Sequence, residues 1–153
     1  MIPKFRGKRV DNGEWVEGHL LKDERDFCYI VRPQNIGAIY AKGSINGTHD
    51  IVIVGCCEVI PETVGQFTGL EDKNEKEIFG SISIDGIMSK GGDIVQEYFE
   101  SLDTTTQAQK VLWIDEMACF GLKPSHPYDY SSLAFSDKRE VIGNQTDNPE
   151  LLK

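Results

Sequence analysis

Several things are scarce or missing in this chain of 153 residues. No apolar run comes near the ~20 residues a membrane-spanning helix needs, so a helical membrane anchor is excluded. Histidine occurs three times, as His19, His49 and His126, far apart and without metal-ligand spacing to a cysteine. No C-x-x-C pair exists, so zinc-ribbon and thioredoxin-type motifs drop out. Neither G-x-x-x-x-G-K-[ST] nor G-x-G-x-x-G is present, which removes the phosphate-cradling loops. Basic residues are few: 16 against 25 acidic, a net charge of -9. The deficit is uneven, -2 over residues 1–76 and -7 over 77–153. Such a surface repels a phosphate backbone, so general nucleic-acid binding is disfavoured. Met1 to Arg6 lacks the apolar core of a secretory leader. The four cysteines, with Cys56 and Cys57 adjacent, are then expected to be reduced, mostly buried thiols in a cytoplasmic protein. The sequons at Asn46 and Asn144 read as chance matches.

What is present is a succession of short strand patterns punctuated by glycine and acidic turns. Asn12-Gly13 is the favoured pair for a two-residue hairpin turn. That turn pairs Lys8 with Glu17 and Phe5 with Leu20, and puts Phe5, Val16 and Leu20 on one face. Its flaw is Asp11 opposite Glu14, which a three-residue loop would relieve. Lys4, Arg6 and Lys8 share the other face, as a solvated strip or a basic strip for an acidic ligand. Further strands are expected at 27–31, 38–41, 50–54 and 57–60, with Pro61 opening a turn.

Gly65 to Val95 is the distinctive stretch. It holds Gln66-Phe67-Thr68-Gly69-Leu70, then Asp72, Asn74, Lys76, Glu77 and Ile78, then Gly92-Asp93-Ile94-Val95. With Lys4 to Lys8 and Trp15 ahead of it, and Glu140–Asn144 and Asn148–Leu152 behind, the chain resembles the YopX family. These are small proteins of bacteriophages and prophages with no characterised activity. The resemblance therefore implies a phage origin and supplies no catalytic residue. Two departures stand out. Glu75 occupies the turn position where the family pattern has glycine, so the left-handed turn residue is expected to move to Asn74. Residues 80–91 are inserted before Gly92, and the pattern Ser81–Ile84 followed by Asp85-Gly86 predicts an extra hairpin there.

At 93–102 two patterns compete. Ile94, Val95, Tyr98, Phe99 and Leu102 fit one face of a helix, with Asp93 and Gln96 as a capping pair. The resemblance implies a strand. A strand over 92–97 is preferred, with a short helix to 102 as the alternative. Beyond lie a polar loop at 104–107, a hairpin of 111–114 with 118–122, an irregular loop at 124–131, a short strand or turn at 132–135, a strand at 140–144 and a terminal turn at 148–152.

Candidate chemistry is thin. Cys28 or Cys119 with a histidine is the available nucleophile pair, but Cys119, between Ala118 and Phe120, sits in a core-like setting. Asp50, Glu71 and Lys73 have the nearest spacing to a metal nuclease, yet Glu71 and Lys73 fall in a turn rather than on a rigid strand. Tyr128 and Tyr130, with Trp113, Phe120 and His126, offer aromatics beside a proline-containing loop, suited to a protein surface. Phe120 itself reads as core.

The expectation is one mainly β domain over 1–153, divisible into an N-terminal sheet (1–64) and a small SH3-like barrel (65–153) carrying the insert at 80–91. The expected function is a non-enzymatic interaction protein in a bacterial host, self-associating through strand edges or binding another protein. No cofactor, metal or membrane is called for. Candidate binding residues are Lys4, Arg6, Lys8, Tyr128 and Tyr130. Three other readings remain: nucleic-acid binding through Lys4, Arg6, Lys8 and Arg9; a DNA mimic made by the acidic second half; and a hydrolase.

Overall fold

The computed structural model describes residues 3–32, 39–43, 49–53, 55–123, 131–134 and 136–153, with the backbone alone for 39–43 and 49–53. It is mainly β. The first strands, β1 (Phe5–Lys8), β2 (Trp15–Lys22) and β3 (Cys28–Val31), run antiparallel in sequence order. β4 (Ile39–Gly43) and β5 (His49–Ile53) form a two-stranded sheet of their own, and β6 (Cys56–Val59) returns to pair with β3. After a 3-10 turn at Pro61–Thr63, β7 (Gly65–Glu71) pairs with both β1 and β8 (Glu77–Ser81).

Within residues 80–91 the expected hairpin forms, β9 (Ser83–Ile84) with β10 (Ile87–Met88). Asp85 and Gly86 make its turn, both with positive φ. β11 (Asp93–Phe99) is a strand, so the helical pattern at 93–102 yields to strand pairing. Only Glu100–Leu102 coils, as one 3-10 turn. Residues of β11 find partners on both sides, β16 (Arg139–Asn144) on one and β13 (Gln109–Ile114) on the other. An isolated helix there would forgo those backbone bonds.

β12 (Thr104–Thr105) is a two-residue strand where a polar loop was expected. β13 and β14 (Cys119–Lys123) form the expected hairpin through a 3-10 turn at Asp115–Met117. β15 (Ser131–Ser132) adds to β14. Twelve strands thus share one sheet, in the order β12-β11-β13-β8-β7-β1-β2-β3-β6 with β14, β15 and β16 branching off. The β8–β13 contact is parallel, so the sheet is mixed. That order does not by itself establish the SH3-like barrel expected of the second half.

The N-terminal hairpin corrects the expected register. Phe5 faces Gly18, Arg6 faces Glu17 and Lys8 faces Trp15, a slip of two residues from the two-residue turn. The physical reason lies outside the hairpin. After Lys8 the chain turns to β6: Ile60 N–H donates to Lys8 O (2.8 Å) and Val10 N–H to Glu58 O (3.0 Å). The connection lengthens accordingly, closed by Arg9 N–H to Glu14 O (2.9 Å), with Gly13 at φ 73°. Asp11 meets Arg9 instead of Glu14, which removes the like-charge apposition. A slip of two keeps every side chain on its face, so Val16 is buried with Phe5 and Leu20 beside it, as expected.

Two apolar clusters result. One holds Val16, Cys28, Ile30, Val59 and Val64; the other Ile78, Val95, Val111, Leu122 and Val141. Glycines let the backbones cross closely between them. A Cβ on Gly65 would lie 2.4 Å from Gly91 O, and one on Gly91 would lie 2.2 Å from the carbonyl carbon of Val64. Gly91 therefore serves close packing of two backbones. Of the thiols only Cys28 is buried; Cys57 and Cys119 are half-buried and Cys56 is exposed, which corrects the expectation of mostly buried cysteines.

Candidate functional site: a groove beside an ionic spine

Alternation along β1 sends Lys4, Arg6 and Lys8 to one face, and β2 supplies Trp15 and Glu17 beside them. Each cation meets carboxylates. Lys4 Nζ contacts Glu77 and lies 3.2 Å from Glu17. Lys8 Nζ contacts Asp147, which also accepts from Trp15 Nε1 (2.8 Å). Arg6 is the most enclosed. Its Nη2 donates to Asp93 Oδ1 (2.6 Å) and to Gly91 O (2.8 Å), and its Nε to Gly91 O (3.1 Å). Its guanidinium sits 4.9 Å from the Trp15 ring centroid and 4.5 Å from that of Phe79, a cation between two π faces.

Asp93 is almost fully enclosed and its second oxygen accepts the Phe79 N–H (2.8 Å). Burial pushes its carboxyl above the usual carboxylate range, and the Arg6 charge and the Phe79 N–H pull back only part of that. Asp72 shows the opposite balance. Burial pushes it up too, but N–H groups of Val141 (2.9 Å), Lys76 (3.0 Å) and Asn74 (2.7 Å) outweigh burial, and the carboxyl lies below its ordinary value. Asp72 thereby ties the β7–β8 turn to β16. In that turn Glu75 itself takes φ 63°, so the left-handed position did not move to Asn74. The reason is the same carboxylate: Asp72 Oδ1 fixes both the Asn74 and Lys76 N–H groups, which leaves the positive φ to the residue between them.

The chain belongs to the YopX family. The model for the YopX protein matches residues 4–153, nearly its whole length. No curated protein matches it. The segments by which the chain resembles YopX proteins meet in this spine: Arg6 of Lys4–Lys8 with Asp93 of the Gly92–Val95 segment, Lys4 with Glu77, and Asp72 with the strand beginning at Arg139. These contacts bring sequence segments about 70–90 residues apart together in the sheet.

The remaining motif residues line a groove. Gln66, Phe67, Thr68 and Leu70 line a cleft of about 420 Å³ together with Trp113, Cys119, Phe120, Leu133 and Lys4. Trp113 and Phe120 meet edge-to-face at 5.3 Å, and both are half-buried, so Phe120 belongs to the groove wall and not to the core as expected. Phe67 leans on Phe79 at 5.8 Å. Gln66 and Trp113 are shared with a second groove, about 580 Å³, floored by Phe5, Leu20, Ile82 and Ile84.

Among the described residues no three His, Cys, Asp or Glu side chains gather as a metal site. His19 Nδ1 lies 3.4 Å from Pro3 O, on the outer face of β2. Cys28 is buried and its thiol pushed up by that burial. Tyr128, Tyr130 and His126 lie outside the described residues. No helix among the described residues is long and apolar enough to cross a membrane.

Proposed function

We propose that this YopX-family chain is a non-enzymatic accessory protein of a phage or prophage, working in the bacterial cytoplasm by holding an extended segment of another protein in the Trp113 groove. The observation that carries this reading is the groove itself. It is elongated, because two adjoining clefts share Gln66 and Trp113. Its walls present Trp113, Phe120 and Phe67 half-buried, the side-chain type that dominates protein–protein binding energy. The basic strip is a weaker basis for an interaction, since Lys4, Arg6 and Lys8 already face carboxylates within the chain. A phosphate ligand would have to displace them.

The test is affinity capture from host lysate with the tagged chain in three forms: native, Trp113→Ser and Trp113→Phe. A stoichiometric protein retained by native and Trp113→Phe, and lost by a Trp113→Ser variant that still melts cooperatively, supports the reading. A partner retained equally by Trp113→Ser overturns the groove. Recovery of nucleic acid in place of protein overturns the class.

A further inference from the structure

The β9–β10 hairpin carries a second surface that the groove does not use. Its base is firmly held. Ser89 is buried; its N–H donates to Ile82 O (2.9 Å), its hydroxyl to Val64 O (2.5 Å), and it accepts from Ile82 N–H (3.1 Å). Lys90 N–H adds a bond to Glu62 O (2.6 Å). Ile82 and Ile84 pack on the N-terminal core. This frame holds large apolar side chains outward: Ile87 is 69% exposed, Met88 40% and Ile60 37%. An isolated exposed apolar residue needs no explanation, but several held together on an anchored frame do.

Between Ile60 and Ile87 lies a cleft of about 340 Å³. Ile60, Pro61, Ile84 and Ile87 supply its apolar surface, and Asp26, Glu62 and Asp85 its polar rim. Lys22 is shared by two of those carboxylates, contacting Asp85 and lying 2.8 Å from Asp26. Acid therefore exceeds base at the rim, in a molecule whose net charge is already -9. That field attracts cations and repels copies of the same surface. It also repels anionic lipid headgroups, which removes a membrane as the occupant.

We propose that this cleft docks a cationic segment of a partner protein. An aliphatic side chain of that segment would sit between Ile60 and Ile87, and a flanking lysine or arginine would face Glu62, with Asp26 and Asp85, two carboxylates sharing the single Lys22, beside it. The β9–β10 hairpin would then give this chain a second protein contact.

The probe is a short peptide of alternating lysine and leucine. Its counterparts are one of glutamate and leucine and one of lysine and serine. Binding is read from the methyl resonances of the isoleucines and methionines and from titration at two salt concentrations. The lysine–leucine peptide is expected to shift Ile60, Ile84 and Ile87. Its affinity should weaken about tenfold in Ile87→Ser, the loss expected when one aliphatic contact is removed, and again in Glu62→Lys. Ile87 is exposed, so Ile87→Ser should fold as the native chain does. Retained binding in Trp113→Ser would separate this surface from the groove.

Equal binding of the glutamate–leucine peptide, unchanged affinity in Ile87→Ser, or shifts confined to the Trp113 groove would each overturn the proposal. So would self-association of the free chain that Ile87→Ser abolishes, because a second copy would then be the occupant.

Discussion

At the scale of single residues, the chain stakes most on Arg6 and Asp93. Both are enclosed, with side-chain exposures of 11% and 2%, so neither can be removed without stranding the other. Breaking a buried pair by deleting one partner costs about 3–5 kcal/mol. Asp93→Ala and Arg6→Ala should each destabilise on that scale in chemical denaturation. The double variant should cost much less than their sum, because the stranded charge is then gone. Glu75 makes the opposite case. It is exposed, takes φ 63° and keeps its turn bond through its backbone N–H to Asp72 O (3.0 Å). A non-glycine residue in that region costs about 1–2 kcal/mol, so Glu75→Gly should raise stability by about 1 kcal/mol after the entropy of a freer unfolded chain is subtracted. A rise in the denaturant midpoint at constant slope would check it. Asp72 sets a pH dependence. Its folded-state value lies below the unfolded one near 3.8, so its contribution is present above that pH and is lost as pH falls below it. Asp93, shifted upward, acts in the opposite sense, and its contribution grows on acidification. Asp72→Asn should therefore flatten the acid limb of the stability curve, and Asp93→Asn should steepen it.

At the scale of elements, what could be read in advance was what neighbouring residues decide. Asp85-Gly86 after an alternating run announced the β9–β10 hairpin, and the strand patterns at 111–114 and 118–122 announced the β13–β14 hairpin. The parity of Phe5, Val16 and Leu20 announced which face of the first hairpin is buried. What escaped was decided by distant partners. The hairpin register depends on β6, some 50 residues on, capturing Lys8 and Val10. Residues 93–102 carry a helical spacing, and only the flanking strands β13 and β16 overrule it. The groove was legible in its parts: Trp113 and Phe120 were singled out as aromatics. No spacing rule brings Gln66–Leu70 beside them, because the groove lining comes from the β7, β13 and β14 strands. Nor does the sequence say that Lys4, Arg6 and Lys8 would each find an acid, since Glu77, Asp93 and Asp147 lie far along the chain. The same long-range packing governs Gly91. A methyl group there would meet Val64 and Thr63 backbone at 2.2–2.3 Å, and backbone cannot swing aside as a side chain can. Gly91→Ala should rank among the severe substitutions, by about 3 kcal/mol or more, measured as a fall in the thermal midpoint.

At the scale of the whole molecule, two apolar clusters are joined by one sheet and one ionic spine. β1 pairs with β7 at two register positions, Phe5 with Gln66 and Arg6 with Gly65, and Phe67 N–H donates to Lys4 O (2.8 Å). Ser89 Oγ to Val64 O and Lys90 N–H to Glu62 O add to that junction. Arg6 reinforces it at that point by reaching Gly91 and Asp93, and Lys8 and Trp15 do so again through Asp147. The chain therefore should unfold in a single step although it has two cores. Its two tryptophans lie in the first and second halves of the sequence, Trp15 against Arg6 at the junction and Trp113 against Phe120, so two surroundings can be followed separately. In single-tryptophan variants, Trp15→Phe reporting on the surroundings of Trp113 and Trp113→Phe on those of Trp15, the denaturation curves should coincide, which is the signature of two-state behaviour. Adding Asp93→Ala to each should pull the curves apart, because it removes the charge that couples the halves while leaving both clusters intact. Curves that separate already in the native background would make the halves independent folding units joined by a contact. Curves that remain coincident after Asp93→Ala would place the coupling in the sheet itself, with the spine adding stability to both halves alike.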